Sequence, residues 1–496
     1  MNALFEVLHI LLDLRFVLMV LLGSLAGLMV GAIPGLSVSM ATALLVSVTY
    51  TWAVGDALAM VMGVYVVGVF AGAISAILIN IPGAPSSVVT TLDGYPLARQ
   101  GRAHEALKYA TWYSFIGSLA GILALWALAR PISAFALRFQ PMDYFLLGLF
   151  GLLLVGTLTA RSFVRGLISA CLGLIIAMVG LDSVMGTPRL TLGIQELTAG
   201  FAVVPVLIGL FGFSEVLSVL SGQAPEGEMA RMASTLVSTR KVLKHWLSSL
   251  YYALIGLLVG ALPGAGGPVA SFLAYGAAKK AVRQPSAPFG EGAVEGIVAS
   301  EAANNAVIGG ALIPTLTLAI PGDAVTAILL SVFYVHGLQP GPMFIRQSPQ
   351  LFHTLIAAGL IACIFLLLLG LFIAPRISRL IALPRRILLP LVTVLCVVGA
   401  FAYNNRLADV LIMLAFGILG FFMRRGGYPV APMTLALVLG GMMDSNFRRA
   451  VSLALPEENP LLFMLGRPIT LVLLGLVLVV LFSKIAGVGR SKRRKT

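Results

Sequence analysis

A chain of 496 residues that is 59% hydrophobic and only 10% charged, with a mean hydropathy of +1.01, carries more apolar surface than a water-soluble fold of its size can enclose. Part of its solvent is lipid. Apolar stretches of about 20 residues recur from end to end without the alternation of an outer-membrane barrel, which leaves an all-α polytopic membrane protein of about a dozen transmembrane helices. The formal charge of +14 does not make a nucleic-acid binder, because the basic residues stand in short loops and at the C-terminus, where the positive-inside rule puts them.

The first apolar stretch carries Asp13 and Arg15 and shows no small-residue cleavage site, so no cleavable signal is expected. It leads into SLAGLMVGAIPGLS at 24–37, broken by Pro34-Gly35, with Ser37, Ser39 and Thr42 just beyond. A second run ends in Asn80-Ile81-Pro82-Gly83, followed by Ser86, Ser87, Thr90 and Thr91, then by Asp93, Arg99 and Arg102. Proline removes a backbone donor and, with glycine, ends a helix. Polar backbone released at membrane depth is tolerated where it lines an aqueous cavity or meets a ligand. A helix restarting there aims free N–H groups and its positive dipole end into the cavity, which suits an anion.

Residues 221–246 contain Gly, Pro, Ser and both charge signs and read as a solvated cytoplasmic linker. Beyond it, ALIGLLVGALPGAG at 253–266 matches 24–37 at eight of fourteen positions, pairing Gly27 with Gly256, Gly31 with Gly260, Pro34 with Pro263 and Gly35 with Gly264. Ile320-Pro321-Gly322 pairs with Ile81-Pro82-Gly83. The prolines lie 48 residues apart in the first half and 58 in the second, with RQPSAPFGEG at 283–292 taking up the difference. The chain is therefore read as two homologous repeats, 1–220 and 247–486, followed by a basic tail, 487–496. Interrupted segments at matching places in two halves point to the binding site of a secondary transporter, a pattern that implies inverted repeats with Pro-Gly-broken helices at the centre.

The hydroxyls after the breaks, together with Gly264, Gly266 and Gly267, suit carboxylate oxygens; the other reading is that Ser and Thr bond back to their own helices. In SEAANNAVIGGALIPTLTLAIPGDA at 300–324, Glu301, Asn304 and Asn305 fall on one face at helical spacing. The amides are expected to bind substrate, Glu301 and Asp323 to serve a coupling ion or a gate; the alternative is polar glue between helices. Asp93 and Arg99 either gate the cytoplasmic exit or belong to an ordinary turn flanked by positive-inside charge. Arg376, Arg379, Arg385 and Arg386, then Arg424 and Arg425, then Arg490 to Lys495 form three basic clusters that alternate without conflict if the C-terminus is cytoplasmic. Cys171, Cys363 and Cys396 are isolated and the histidines unpaired, so neither a disulfide framework nor a metal site is expected. No phosphate-binding loop is present.

GLMVGAIPGLS, NIPGAPSSVVTTLDGYPLARQGRAHEAL, GALPGAGGPVASFLAYGAAKK, EGIVASEAANNAVIGGALIPTLTLAIPGDAVTAILL and HGLQPGP resemble the large membrane subunit of the tripartite tricarboxylate transporters, the TctA family, over nearly the whole chain. The resemblance implies a permease of the bacterial inner membrane that works with a small membrane subunit and a periplasmic solute-binding protein. It implies uptake of citrate or another tri-, di- or aromatic carboxylate, driven by a Na⁺ or H⁺ gradient without a cofactor. The segment 336–346, HGLQPGPMFIR, is expected to dock the solute-binding protein. Asp323 stands where the family often has a small residue. The alternative reading is an intramembrane enzyme using Asp93 and Asp323.

Overall fold

The computed structural model describes residues 2–33, 36–158, 162–182, 186–221, 237–377 and 385–493. The first half runs through α1 (Asn2–Leu11), α2 (Leu14–Ala32), α3 (Val38–Thr49), α4 (Val54–Ile79), α5 (Val88–Leu97), α6 (Ala103–Ala136), α7 (Pro141–Leu158), α8 (Phe163–Ala177), α9 (Val203–Leu207) and α10 (Ser214–Leu220). The second runs through α11 (Thr239–Val242), α12 (Trp246–Gly260), α13 (Gly266–Ala281), α14 (Val294–Leu318), α15 (Ala324–Val335), α16 (Phe344–Gln347) and α17 (Pro349–Phe372). It closes with α18 (Arg385–Asn404), α19 (Leu407–Arg425), α20 (Val430–Ala454), α21 (Pro460–Leu465) and α22 (Pro468–Arg493). One short antiparallel ribbon pairs β1 (Gly180–Leu181) with β2 (Pro188–Arg189). Eight helices among the described residues are long and apolar enough to cross a membrane, and six further apolar helices are shorter. The all-α polytopic expectation holds.

The centre is built on α4 and α14, whose most apolar windows are 94% and 100% buried. In lipid the hydrophobic effect cannot drive helices together, so close backbone packing through small residues does. A Cβ on Gly27 of α2 would come within 2.7 Å of the Val64 carbonyl on α4, and one on Gly256 of α12 within 2.1 Å of the Ala303 carbonyl on α14. Gly117 and Gly121 set α6 against the Ala302 and Ala306 carbonyls in the same way. Two flanking groups enclose this core. In one, α7, α8, α20 and α22 pack together around Leu152, Val155, Ala170, Leu435 and Leu439. In the other, the α9–α10 span, α18 and α19 pack beside α3. Outward rows such as Leu247, Leu254 and Leu258 of α12 are exposed, as a lipid-facing surface must be.

Two short helices matter for the site. α3 and α15 have 12 residues each, about 18 Å of rise, so each covers about half of a bilayer core. They meet one another, and α13 meets the turn Pro85–Ser87. The breaks thereby face a common space.

Candidate functional site

That space is a cavity of about 500 Å³. The first break contributes Ser37 and Ser39, the second Ala84 to Ser86, the third Gly264 to Pro268, and the fourth Pro321 and Asp323. Pro34 and Gly35 lie outside the described residues. The two breaks that precede Ile-Pro-Gly share a backbone solution: α4 ends on Asn80 and α14 on Ala319, both left-handed at φ 57°. Gly83 and Gly322 then turn inward against α2 and α12 respectively. A Cβ on Gly83 would lie 2.1 Å from the Gly31 carbonyl, and one on Gly322 2.5 Å from the Gly260 carbonyl. Gly264, at φ 68°, donates its N–H to the Gly322 carbonyl at 2.7 Å, which ties the third break to the fourth.

Local chemistry sorts the hydroxyls. Ser37 caps α3 by accepting the Met40 N–H at 3.0 Å. Thr42 donates back to the Val38 carbonyl at 2.8 Å and Thr91 to the Val88 carbonyl at 2.6 Å, so these two bond within their own helices. Ser86 lines the cavity. Ser87 does not; its buried hydroxyl turns toward Gly72 of α4. Asp323 caps α15, accepting the Thr326 N–H at 2.8 Å while the Thr326 hydroxyl accepts the Asp323 N–H at 2.9 Å. Tyr65, reaching across from α4, donates to the other Asp323 oxygen at 2.5 Å.

Glu301, Asn304 and Asn305 divide between two environments rather than sharing one face. Asn304 points into the cavity, buried, with neither end of its amide bonded to protein. A buried amide costs about 1–3 kcal/mol per unmet group unless water or a ligand completes it. Gly267 keeps that space open, since a Cβ there would sit 2.4 Å from Asn304 Oδ1 and 2.7 Å from Ser86 Cβ. Glu301 and Asn305 face α5 and α6 instead. Ser114 donates to Glu301 at 2.8 Å, Thr90 donates to its other oxygen, and Asn305 donates to Ser114 at 2.9 Å. None of these lines the cavity.

Asp93 is also elsewhere. One of its oxygens accepts the N–H groups of Gly290, Gly292 and Ala293 at 2.8, 3.0 and 2.9 Å, which anchors the loop leading into α14. Arg99 is exposed and Asn80 stands at the exposed end of α4. Pro82, Gly83 and Gly322 shape the backbone without lining the cavity.

The chain matches the family described as "Tripartite tricarboxylate transporter TctA family" over residues 17–435. The chain belongs to this family. It is 34% identical over 483 residues, 95% of this chain and 94% of the other, to an Agrobacterium vitis protein described as "Uncharacterized 52.8 kDa protein in TAR-I ttuC' 3'region". A second Agrobacterium vitis protein, described as lying in the TAR-II ttuC' 3' region, is 36% identical over 238 residues, 48% of this chain and 97% of the other. No solved structure matches the chain. Within this TctA-family chain, several cavity residues carry no break signal: Tyr65, Val155, Phe211, Arg424 and Thr434. Arg424, at the end of α19, pairs with Glu215 and donates to the Leu210 carbonyl at 3.4 Å. Its charge read in the sequence as topology alone, and only its nearness to the breaks in space reveals it. Tyr65 had a signal: a lone phenol in the apolar run of α4.

Proposed function

We propose that the chain is the large permease subunit of a binding-protein-dependent secondary transporter that takes up a carboxylate across the bacterial inner membrane under a Na⁺ or H⁺ gradient. The observation that carries this reading is the unpartnered Asn304 amide, set in a cavity on which the helix breaks converge. An amide and helix-start N–H groups solvate a carboxylate without a permanent buried charge. Arg424 supplies the cationic lining residue among those described, and a second carboxylate on the substrate gives it a partner in place of Glu215. Tri-, di- and aromatic carboxylates all fit this chemistry.

The matching turns at Asn80 and Ala319, and the matching contacts of Gly83 with Gly31 and Gly322 with Gly260, support two homologous repeats; the transporter pattern supports their inversion. A small membrane subunit and a periplasmic solute-binding protein complete the assembly. The segment 336–346 is a candidate dock for the latter, pinned by buried Phe344 and Ile345 while Met343 is exposed. The enzyme reading finds no pair to act with, because Asp93 is held at the 290–293 loop and Asp323 at the cavity.

Reconstitution of the chain with its partner subunits in liposomes tests the proposal. Labelled carboxylate should accumulate unchanged under an imposed ion gradient and should not do so when the gradient is collapsed. Accumulation indifferent to the gradient, or chemical conversion of the label, refutes it.

A further inference from the structure

A buried acid stands apart from the cavity. Glu301 has no exposed surface and lies two turns into α14, facing α5 and α6. Its carboxylate contacts are neutral: the hydroxyl of Thr90, the hydroxyl of Ser114 at 2.8 Å and the Asn305 amide nitrogen at 3.4 Å. On α5, α6 and α14 the other acids are engaged elsewhere, and the α6 cations Lys108 and Arg130 face the Val237 carbonyl and His353. Asp93 of α5 accepts the amides of the 290–293 loop, Glu295 of α14 accepts Ser286, and Glu105 of α6 pairs with Arg102 and Lys241. A carboxylate at membrane depth without a cation is costly, and side chains of this kind mark ion or proton routes.

We propose that Glu301 is the proton-carrying site of the transporter, separate from the substrate cavity and linked to it by two helices. The ligand is a proton rather than a metal cation because the surrounding groups present hydrogens: both hydroxyls donate to the carboxylate, and Asn305 turns its nitrogen toward it. Those hydroxyls are also reversible. When Glu301 takes a proton, its new O–H donates to Thr90, and the Thr90 hydroxyl turns to Ser300, whose oxygen is 3.2 Å away. The only covalent bond made is the Glu301 O–H; the Thr90–Glu301 hydrogen bond reverses, Thr90 donates to Ser300, and both changes undo when the proton leaves. Thr90 stands one helical turn beyond Ser86, and Asn305 is the chain neighbour of Asn304, so both partners of Glu301 lie on segments that also line the cavity. Proton occupancy and substrate occupancy thus bias the same two segments. The link to transport rests on the carboxylate-uptake reading; the proton site itself does not.

Infrared difference spectroscopy of the full chain in lipid nanodiscs, titrated with acid and base, reads the site directly. The wild type should show a protonated-carboxyl carbonyl band that disappears as pH rises. Glu301→Gln should lack this band and Asp323→Asn should keep it. The band persisting in Glu301→Gln, or its loss at constant pH when Na⁺ replaces K⁺, overturns the proposal. Should Glu301→Gln fail to fold, Thr90→Val decides: loss of one charge-assisted hydrogen bond should displace the band's midpoint by about one pH unit, and an unmoved midpoint counts against the site. In liposomes containing the partner subunits, Glu301→Gln should retain carboxylate exchange at zero gradient and lose proton-driven accumulation; accumulation at the wild-type level refutes the coupling role. If the wild type moves no carboxylate at all, the transport reading fails, while the infrared titration still settles the proton site.

Discussion

At the scale of single residues, Asn304 and Gly267 make the sharpest pair. Asn304 offers a donor and an acceptor to the cavity, and Gly267 offers the room in which a ligand meets them. Removing the amide in Asn304→Ala deletes contacts worth about 1–3 kcal/mol, so the half-saturating substrate concentration should rise about tenfold or more with membrane abundance unchanged. Gly267→Ala acts from the opposite wall and should impair binding at least as strongly, because its methyl occupies the space beside Asn304 Oδ1. Uptake kinetics measured alongside membrane abundance check both. Normal half-saturation in Asn304→Ala would remove Asn304 from the site. Much of this wall was legible in the sequence: Ser37, Ser86, Gly264, Gly266 and Gly267 all follow or neighbour a break, visible as Pro-Gly in an apolar run, and Asn304 stands out as an amide within an apolar helix. Ser87 and Asn305 were not separable from Ser86 and Asn304, since adjacent helical positions differ by about 100° of rotation and only the packing partners decide which one faces the ligand.

At the scale of elements, the Ile-Pro-Gly turns act as spacers between helices as much as anion sites. Gly83 and Gly322 lie against the carbonyls of Gly31 in α2 and Gly260 in α12, so a side chain there must push α2 from α4 or α12 from α14. Gly83→Val and Gly322→Val should both abolish uptake and lower the yield of folded protein; thermal stability of the detergent-purified chain is the measurement. A variant that keeps wild-type stability and loses only affinity would mean that these glycines serve the ligand rather than the packing. The equivalence of the two turns was readable from the repeated Ile-Pro-Gly, whereas Phe211 and Thr434 were not: they reach the cavity from segments without a Pro-Gly break, whose apolar patterns are the same whether they face lipid, core or ligand.

At the scale of the whole molecule, the two ends of α6 bring together segments that the charge pattern assigns to opposite faces of the membrane. Near its start, Lys108 donates to the Val237 carbonyl at 2.7 Å and Lys241 pairs with Glu105 at 3.3 Å. Near its end, Ser133 donates to the Pro342 carbonyl at 2.5 Å. The 34 residues between these ends give about 50 Å of helix, enough to separate the faces of a bilayer. The linker end and the segment 336–346 are therefore expected on opposite sides, and the positive-inside rule predicts the linker end in the cytoplasm. α20 starts beside the basic end of α19 and runs 25 residues, about 38 Å of rise, so the charge pattern predicts Glu457 on the far side and the tail back in the cytoplasm. Single cysteines at Arg99, Lys244 and Lys492 should thus react only when an impermeant thiol reagent reaches the cytoplasmic face, and cysteines at Pro340 and Glu457 only from the periplasmic face. Lys244 labelled from the periplasm would invert the entire assignment, and Pro340 and Lys244 labelled from the same side would contradict the span of α6 itself.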